Sequence, residues 1–245
     1  MKTATIPISE RPFAAFDIDG TLIRWQLYHA VADALARAGH IDKQAYQAIQ
    51  EARMDWKRRT GPEAFKSYEQ QLVNAYNKLI TRINIGQFEQ ATQAVFDEYK
   101  DQAYTYTRDL IKSLKAKNYL LFAISNSQTE IVKKIASYYE FDDCVGSDYE
   151  RQDSRFTGQV SLHLTDKDMV LKQLAAKHRA SYKQSVAIGD SASDIPMLQF
   201  VEQPIAFNPE KKLFDHAVKQ EWPLVIERKN TIYKLEISHG KYILA

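Results

Sequence analysis

The chain is short of cysteine and of long apolar runs, and each shortage closes off a class of protein. Its one thiol, Cys144, cannot form an internal disulfide, so a reducing cytoplasm is the expected setting. No run approaches a membrane span, and the first residues lack the apolar core of a signal peptide. An excess of one charge is missing as well. The 33 basic side chains against 31 acidic leave +2, too little to bind nucleic acid by electrostatics alone. No Gly-x-Gly-x-x-Gly follows the first apolar run, which excludes a dinucleotide site of that kind. Repeats and low-complexity segments are absent too. What remains is a chain of 245 residues, 44% apolar and 26% charged, enough for one large domain or a domain with an insertion.

What is present concentrates in two short stretches. Asp17-Ile18-Asp19-Gly20-Thr21 follows the apolar run Phe13–Phe16, and Gly189-Asp190-Ser191-Ala192-Ser193-Asp194 follows Ser185–Ile188. Asp-Gly and Gly-Asp are ordinary turn formers. Yet carboxylates ending buried strands are expensive to desolvate without a purpose. In an open α/β sheet they converge on the crevice where such folds bind ligands.

Between these stretches the pattern is mixed. From Arg24 to about Tyr104 apolar residues recur at helical spacing (Leu27, Val31, Leu35; Phe65, Tyr68, Leu72, Tyr76; Phe88, Ala91, Val95, Tyr99). Breaks near Gly39, at Gly61-Pro62 and at Gly86 predict about four helices. That block is too long for a crossover and reads as an inserted cap. Strands and helices then alternate: helix Thr107–Lys117, strand Tyr119–Ile124, helix Thr129–Tyr139, a short strand at Cys144–Gly146, helix Lys167–His178 and the strand before Gly189. A hairpin is expected to turn at Thr157-Gly158-Gln159. Helix Ile195–Phe200, strand Pro204–Phe207, helix Lys211–Lys219 and strand Pro223–Ile226 follow, and Thr231–Leu244 reads as a terminal hairpin around Ser238-His239-Gly240. The expected fold is α/β: a doubly wound, mostly parallel, Rossmann-like sheet with an inserted all-helical cap. Residues 1–23 and 105–228 would form the core, 24–104 the cap and 229–245 an extension.

This set of residues suits phosphoryl transfer. Asp17 would attack a phosphate monoester and become an aspartyl-phosphate. Asp19 would protonate the leaving alkoxide and then take a proton from water. Asp190 could hold Mg2+ together with Asp17. Ser125 and Asn126, at the end of an apolar strand, could face the phosphoryl oxygens, and Lys167 could neutralise them. A calcium loop fails for want of further ligands and flanking helices.

At this point the chain resembles the haloacid dehalogenase superfamily, in its phosphoserine-phosphatase-like branch, over roughly Arg11 to Arg228. The Asp-x-Asp-x-Thr motif stands as Asp17–Thr21, the strand ending in Ser as Phe122–Ser125, the lysine as Lys167, and Gly-Asp-x-x-x-Asp as Gly189–Asp194. The resemblance implies that Asp17 is nucleophile and magnesium ligand. It implies that Asp19 is the acid/base, with its backbone carbonyl on the metal. Ser125 and Lys167 would bind the phosphoryl group, Asp190 would ligate magnesium, and Asp194 would orient Lys167 or a metal-bound water. Lys172 is the fallback for Lys167. A small phosphorylated metabolite is the expected partner. Phosphotransfer, phosphomutase chemistry or a non-catalytic phospholigand module are the alternatives on this scaffold.

The chain departs from that branch where specificity is set. Gln26 replaces the Glu that meets phosphoserine's ammonium, Asn126-Ser127 replaces two glycines, and no arginine after Phe65 clearly matches the one expected for the carboxylate. Poor phosphoserine hydrolysis is therefore expected, with Arg24, Trp25 and Gln26 as specificity candidates.

Overall fold

The first strand, β1 (Pro12–Phe16), sends consecutive side chains to opposite faces. Phe13 and Ala15 enter one apolar core, Ala14 and Phe16 a second. The same split recurs in β2 (Leu120–Gln128), where Phe122 and Ile124 oppose Leu121 and Ala123, and in β5 (Ser181–Gly189), where Ala187 opposes Val186 and Ile188. Strands apolar on both faces have to be covered twice. The computed structural model, which describes residues 11–61, 64–162, 166–238 and 241–244, shows that cover. Helices α7 (Lys167–Lys177), α8 (Ile195–Leu198) and α9 (Lys211–Gln220) place Leu171, Leu174, Met197 and Leu213 in the first core. Helices α5 (Thr105–Ala116) and α6 (Thr129–Tyr138) place Ile111, Leu114, Ile131 and Ile135 in the second.

The remaining strands are β3 (Asp143–Gln152), β4 (Arg155–Leu162), β6 (Gln203–Phe207), β7 (Leu224–Arg228), β8 (Thr231–Ser238) and β9 (Lys241–Leu244). Among the described residues these six join β1, β2 and β5 in one nine-stranded sheet, ordered β4-β3-β2-β1-β5-β6-β7-β8-β9. From β3 to β7 the pairing is parallel, and the outer pairs are antiparallel. Strand order reverses at β1, which opens a crevice at the carboxyl ends of β1 and β5. Between β1 and α5 the chain is inserted as a helical cap: α1 (Leu27–Arg37), α2 (Lys43–Lys57), α3 (Ala64–Ile80) and α4 (Ile85–Tyr99). No helix among the described residues is long and apolar enough to cross a membrane.

Two details depart from the sequence pattern. The hairpin does not turn at Thr157-Gly158-Gln159. Strand β3 runs on past Gly146 and pairs antiparallel with β4, so the reversal falls at Asp153-Ser154, with Asp153 at φ 55°. Aspartate tolerates that left-handed conformation and serves as the turn residue. Gly158 instead lies inside β4 at φ +85°, where a Cβ would stand 2.7 Å from Thr81 Cγ2. Its glycine answers to close packing against the cap. The last cap break falls before Gly86, because Asn84 ends the preceding loop and caps α4. The Asn84 side chain accepts from the Gln87 amide, and the Gln87 side chain accepts from the Asn84 amide, both at 3.0 Å. Pro62, His239 and Gly240 lie outside the described residues; β8 and β9 pair antiparallel.

Candidate active site

Parallel register brings the two acidic stretches together. Phe16 lies beside Ile188, and the Asp17 amide donates to the Ile188 carbonyl at 3.0 Å. Asp17 therefore leaves β1 where Gly189 and Asp190 leave β5. Two glycines permit the approach. At Gly20, φ +83°, a Cβ would lie 2.3 Å from Asp190 Oδ2. At Gly189 a Cβ would lie 2.5 Å from Asp194 Cγ.

The centre is an ion-pair relay. The Lys167 ammonium, 1% exposed, donates to Asp17 Oδ1 at 2.7 Å and to Asp194 Oδ1 at 2.6 Å. It enters from the first residue of α7, a position the helix fixes. Asp194 is saturated: its Oδ2 accepts from the Asp190 amide (3.1 Å), the Ser191 amide (2.9 Å) and the Ser191 hydroxyl (3.0 Å). Asp190 Oδ1 accepts from the Thr21 hydroxyl at 3.2 Å. Asp17 Oδ2 and Asp190 Oδ2 take no hydrogen bond from the described residues.

Asp19 is held on the other side. Its Oδ1 accepts from the Leu27 amide at 2.5 Å and the Ser127 hydroxyl at 3.1 Å, and its Oδ2 accepts from Ser125 at 2.5 Å. The Ser127 hydroxyl also accepts from the Tyr28 amide at 2.9 Å, which ties the start of α1 to β2. Ser127 was not among the candidates, yet period two puts it on the face of Ser125. That spacing was the available signal.

Four carboxylates meet one ammonium here, and the electrostatics reflect it. Burial pushes Asp17 up to about 7; Lys167 pulls it down, while Asp194 and Asp19 push it further up. Burial and then Asp17 and Asp194 drive Asp190 well above the carboxylate range. Asp19 is also raised by burial, against its hydrogen bonds. Burial opposes the charge on Lys167, but Asp17 and Asp194 outweigh it and keep the amine protonated. Such crowding calls for a further cation. Carboxylate oxygens of Asp17, Asp190 and Asp194 lie within 4.8 Å of one another. Hard oxygen donors with two unengaged atoms fit magnesium, which takes few carboxylates and completes its shell with other oxygens.

The other candidates are placed as follows. Asn126 is exposed, and its carbonyl accepts from the Ser147 hydroxyl at 2.8 Å. Lys172 turns away, paired with Asp168 at 3.0 Å and lying 3.7 Å from the Phe200 ring centroid. The Arg24 guanidinium is engaged by Glu227 at 2.5 Å and by the Ala103 carbonyl at 3.1 Å. Trp25 packs against the second core with Lys57 5.8 Å from its ring, and Gln26 precedes α1 without capping it.

A mostly parallel sheet with a helical insertion, carrying acidic loops at its switch point, is the frame of a large hydrolase superfamily. The chain belongs to the haloacid dehalogenase-like hydrolase family, which matches residues 14–199. It is 31% identical over 147 residues to a phosphoserine phosphatase of Lactococcus lactis, a match covering 58% of this chain and 66% of that one. A histidinol-phosphatase of Neisseria meningitidis is 24% identical, covering 86% of this chain and 97% of that one. Across the first curated relatives the chain spans from 44% to 66% of their length. Among solved structures, a phospho-aspartyl intermediate analogue of phosphoserine phosphatase superposes with a TM-score of 0.64 at 21% identity, covering 90% of this chain and 95% of that one.

Proposed function

We propose that the chain is a magnesium-dependent phosphatase that hydrolyses a small phosphate monoester through an aspartyl-phosphate on Asp17. The observation that carries this is the buried Lys167 ammonium shared by Asp17 and Asp194 at the ends of adjacent parallel strands. Asp17 is thereby oriented beside a fixed positive charge that an incoming phosphate dianion requires.

In the first half-reaction an Asp17 oxygen attacks phosphorus. The bond from phosphorus to the alcohol oxygen breaks, and that oxygen leaves with the electron pair and a proton from Asp19. In the second, water attacks phosphorus and gives a proton to Asp19, phosphate departs, and the Asp17 carboxylate is restored. Ser125 and Lys167 bind the phosphoryl oxygens, and Asp194 keeps Lys167 in place. Magnesium would be held by Asp17, Asp190 and the Asp19 backbone carbonyl, where it supplies charge against the phosphoryl group. Residues 24–104 act as a cap over residues 1–23 and 105–228, with 229–245 as an added edge of the sheet. The similarity to phosphatases with differing names supports the reaction class more than any one substrate.

Hydrolysis of phenyl phosphate should need added magnesium and stop in excess chelator. Asp17→Asn should abolish turnover and any acid-stable phosphoenzyme. Asp19→Asn should slow turnover by about 10²–10⁴. Full activity in chelator, or near-normal turnover of Asp17→Asn, would overturn the mechanism.

A further inference from the structure

Next to Asp19 lies a buried polar cluster that the phosphoryl chemistry leaves unused. Gln128 ends β2, one residue after Ser127, and is wholly buried; neither its amide oxygen nor its amide nitrogen has a hydrogen-bond partner. The Tyr76 hydroxyl, from α3 in the cap, lies against the Gln128 side chain and makes no well-formed hydrogen bond. The Tyr76 ring lies 4.8 Å from that of Tyr28 and 5.7 Å from that of Tyr149 in β3. The Tyr149 hydroxyl is 3.4 Å from both the Tyr28 hydroxyl and Asn77 Oδ1. Tyr28 is in turn fixed by its amide to Ser127, which binds Asp19. The buried indole N–H of Trp25, two residues before the Leu27 amide that holds Asp19, also has no acceptor.

Buried polar atoms without partners are costly, about 1–3 kcal/mol each, and a native fold seldom keeps several together without a use. These belong to cap and core elements that meet beside the residue that protonates the leaving oxygen. A leaving group must sit on that side of the phosphorus. The cluster's own groups are uncharged: three phenols, two carboxamides and an indole. Among the phenols and carboxamides a zwitterion such as serine would bury its ammonium and carboxylate without counter-charges, since Lys57, 5.8 Å from the Trp25 ring, is placed at the indole. A quaternary ammonium could rest on the tyrosine rings. It offers no hydrogen bond, however, and would leave the Gln128 amide and Tyr76 hydroxyl unsatisfied.

Building on the phosphatase reading, we infer that Gln128 and Tyr76 form the leaving-group pocket with Tyr28 and Tyr149, and that the pocket selects a neutral, hydroxyl-bearing alcohol of the sugar or polyol class. The rings take the apolar face of such a molecule, and the amide and hydroxyl take its OH groups. Sites built to hydrogen-bond a substrate OH discriminate strongly against analogues that lack it.

The test compares kcat/KM for glycerol 2-phosphate, glucose 6-phosphate, phosphoserine, phosphocholine and phenyl phosphate, with magnesium, in the wild type and three variants. At least one hydroxylated phosphate should exceed phosphoserine and phosphocholine by about tenfold or more. Tyr76→Phe and Gln128→Leu should lower the ratio of hydroxylated to phenyl phosphate by about tenfold, chiefly through KM. Gln128→Glu should shift preference toward phosphocholine, an effect that a merely structural pair would not produce. Phosphoserine or phosphocholine as the best wild-type substrate, or unchanged ratios in all variants, would overturn the inference. If no ester is hydrolysed, the phosphatase reading fails instead. Calorimetric titration of glucose 6-phosphate into Asp17→Asn protein, with and without Gln128→Leu, then decides the pocket on its own: equal affinities refute it, and weaker binding to the double variant supports it.

Discussion

His29 lies in α1 with its ring edge-on to Tyr68, centroids 4.9 Å apart. Burial, reinforced by the Arg53 charge and only partly offset by Asp33, pushes its pKa down to about 3 from 6.5. The folded protein thus keeps the ring neutral, while the unfolded chain takes up a proton below pH 6.5. Stability from this residue is complete above that pH and is lost as the pH falls from 6.5 toward 3. Urea midpoints at pH 7, 5.5 and 4 should fall less steeply for His29→Phe, which keeps the aromatic contact, than for the wild type. Equal slopes would show that His29 carries no such linkage. Sequence alone shows a histidine on an apolar helix face. Its neutrality depends on burial against Tyr68 and on the Arg53 charge, both from other cap helices, while Asp33, one turn along α1, works the other way.

Helix α5 illustrates the same point for an element. Its N-cap, Tyr104, offers no side-chain acceptor to the first-turn amides. Glu227, far along the chain in β7, supplies one: its carboxylate accepts from the Thr105 amide at 3.0 Å, the Tyr106 amide at 2.8 Å and Arg24 at 2.5 Å. A carboxylate at a helix N-terminus also complements the helix dipole. With its side chain fully buried, Glu227 locks the carboxyl end of β7, the start of α5 and the entry to the cap together. Glu227→Ala should destabilise the fold by about 3 kcal/mol, since it strands two amides and a half-exposed guanidinium. Urea denaturation measures this, and a change below about 0.5 kcal/mol, the level of an ordinary surface substitution, would refute the lock. Here the structure gives Arg24 a partner that the sequence pattern did not suggest. The hydrophobic period locates α5, but nothing local announces that its cap comes from another strand.

For the molecule as a whole, the cap joins the sheet through two adjacent crossings. Ile23 bridges Ala103, and the Arg24 amide donates to the Gln102 carbonyl at 2.9 Å. A second contact runs along the β3–β4 hairpin, where the Ile85 amide donates to Ser154 at 3.0 Å and Phe88 meets Phe156 edge-on at 5.0 Å. On the proposed reading the cap pivots at the first and slides on the second to exclude water from the aspartyl-phosphate. Hydrogen exchange with magnesium and beryllium fluoride should protect the start of α1 and the hairpin tip. Unchanged exchange there would argue for a permanently open crevice.

By itself the sequence determined the alternation of strands and helices, the helical insertion, and the two acidic stretches with Lys167 between them. Each is written locally, as a period of apolar residues or a carboxylate at a strand's end. The parallel register that sets Asp17 beside Asp190, the saturation of Asp194 and the sharing of Lys167 came only with the tertiary structure. So did the true turn at Asp153-Ser154, since Gly158 answers to Thr81 rather than to a reversal. The Gln128–Tyr76 cluster was invisible for the same reason. Its members come from β2, β3, α1 and α3, and polar residues with no local pattern acquire meaning only when packing removes their water.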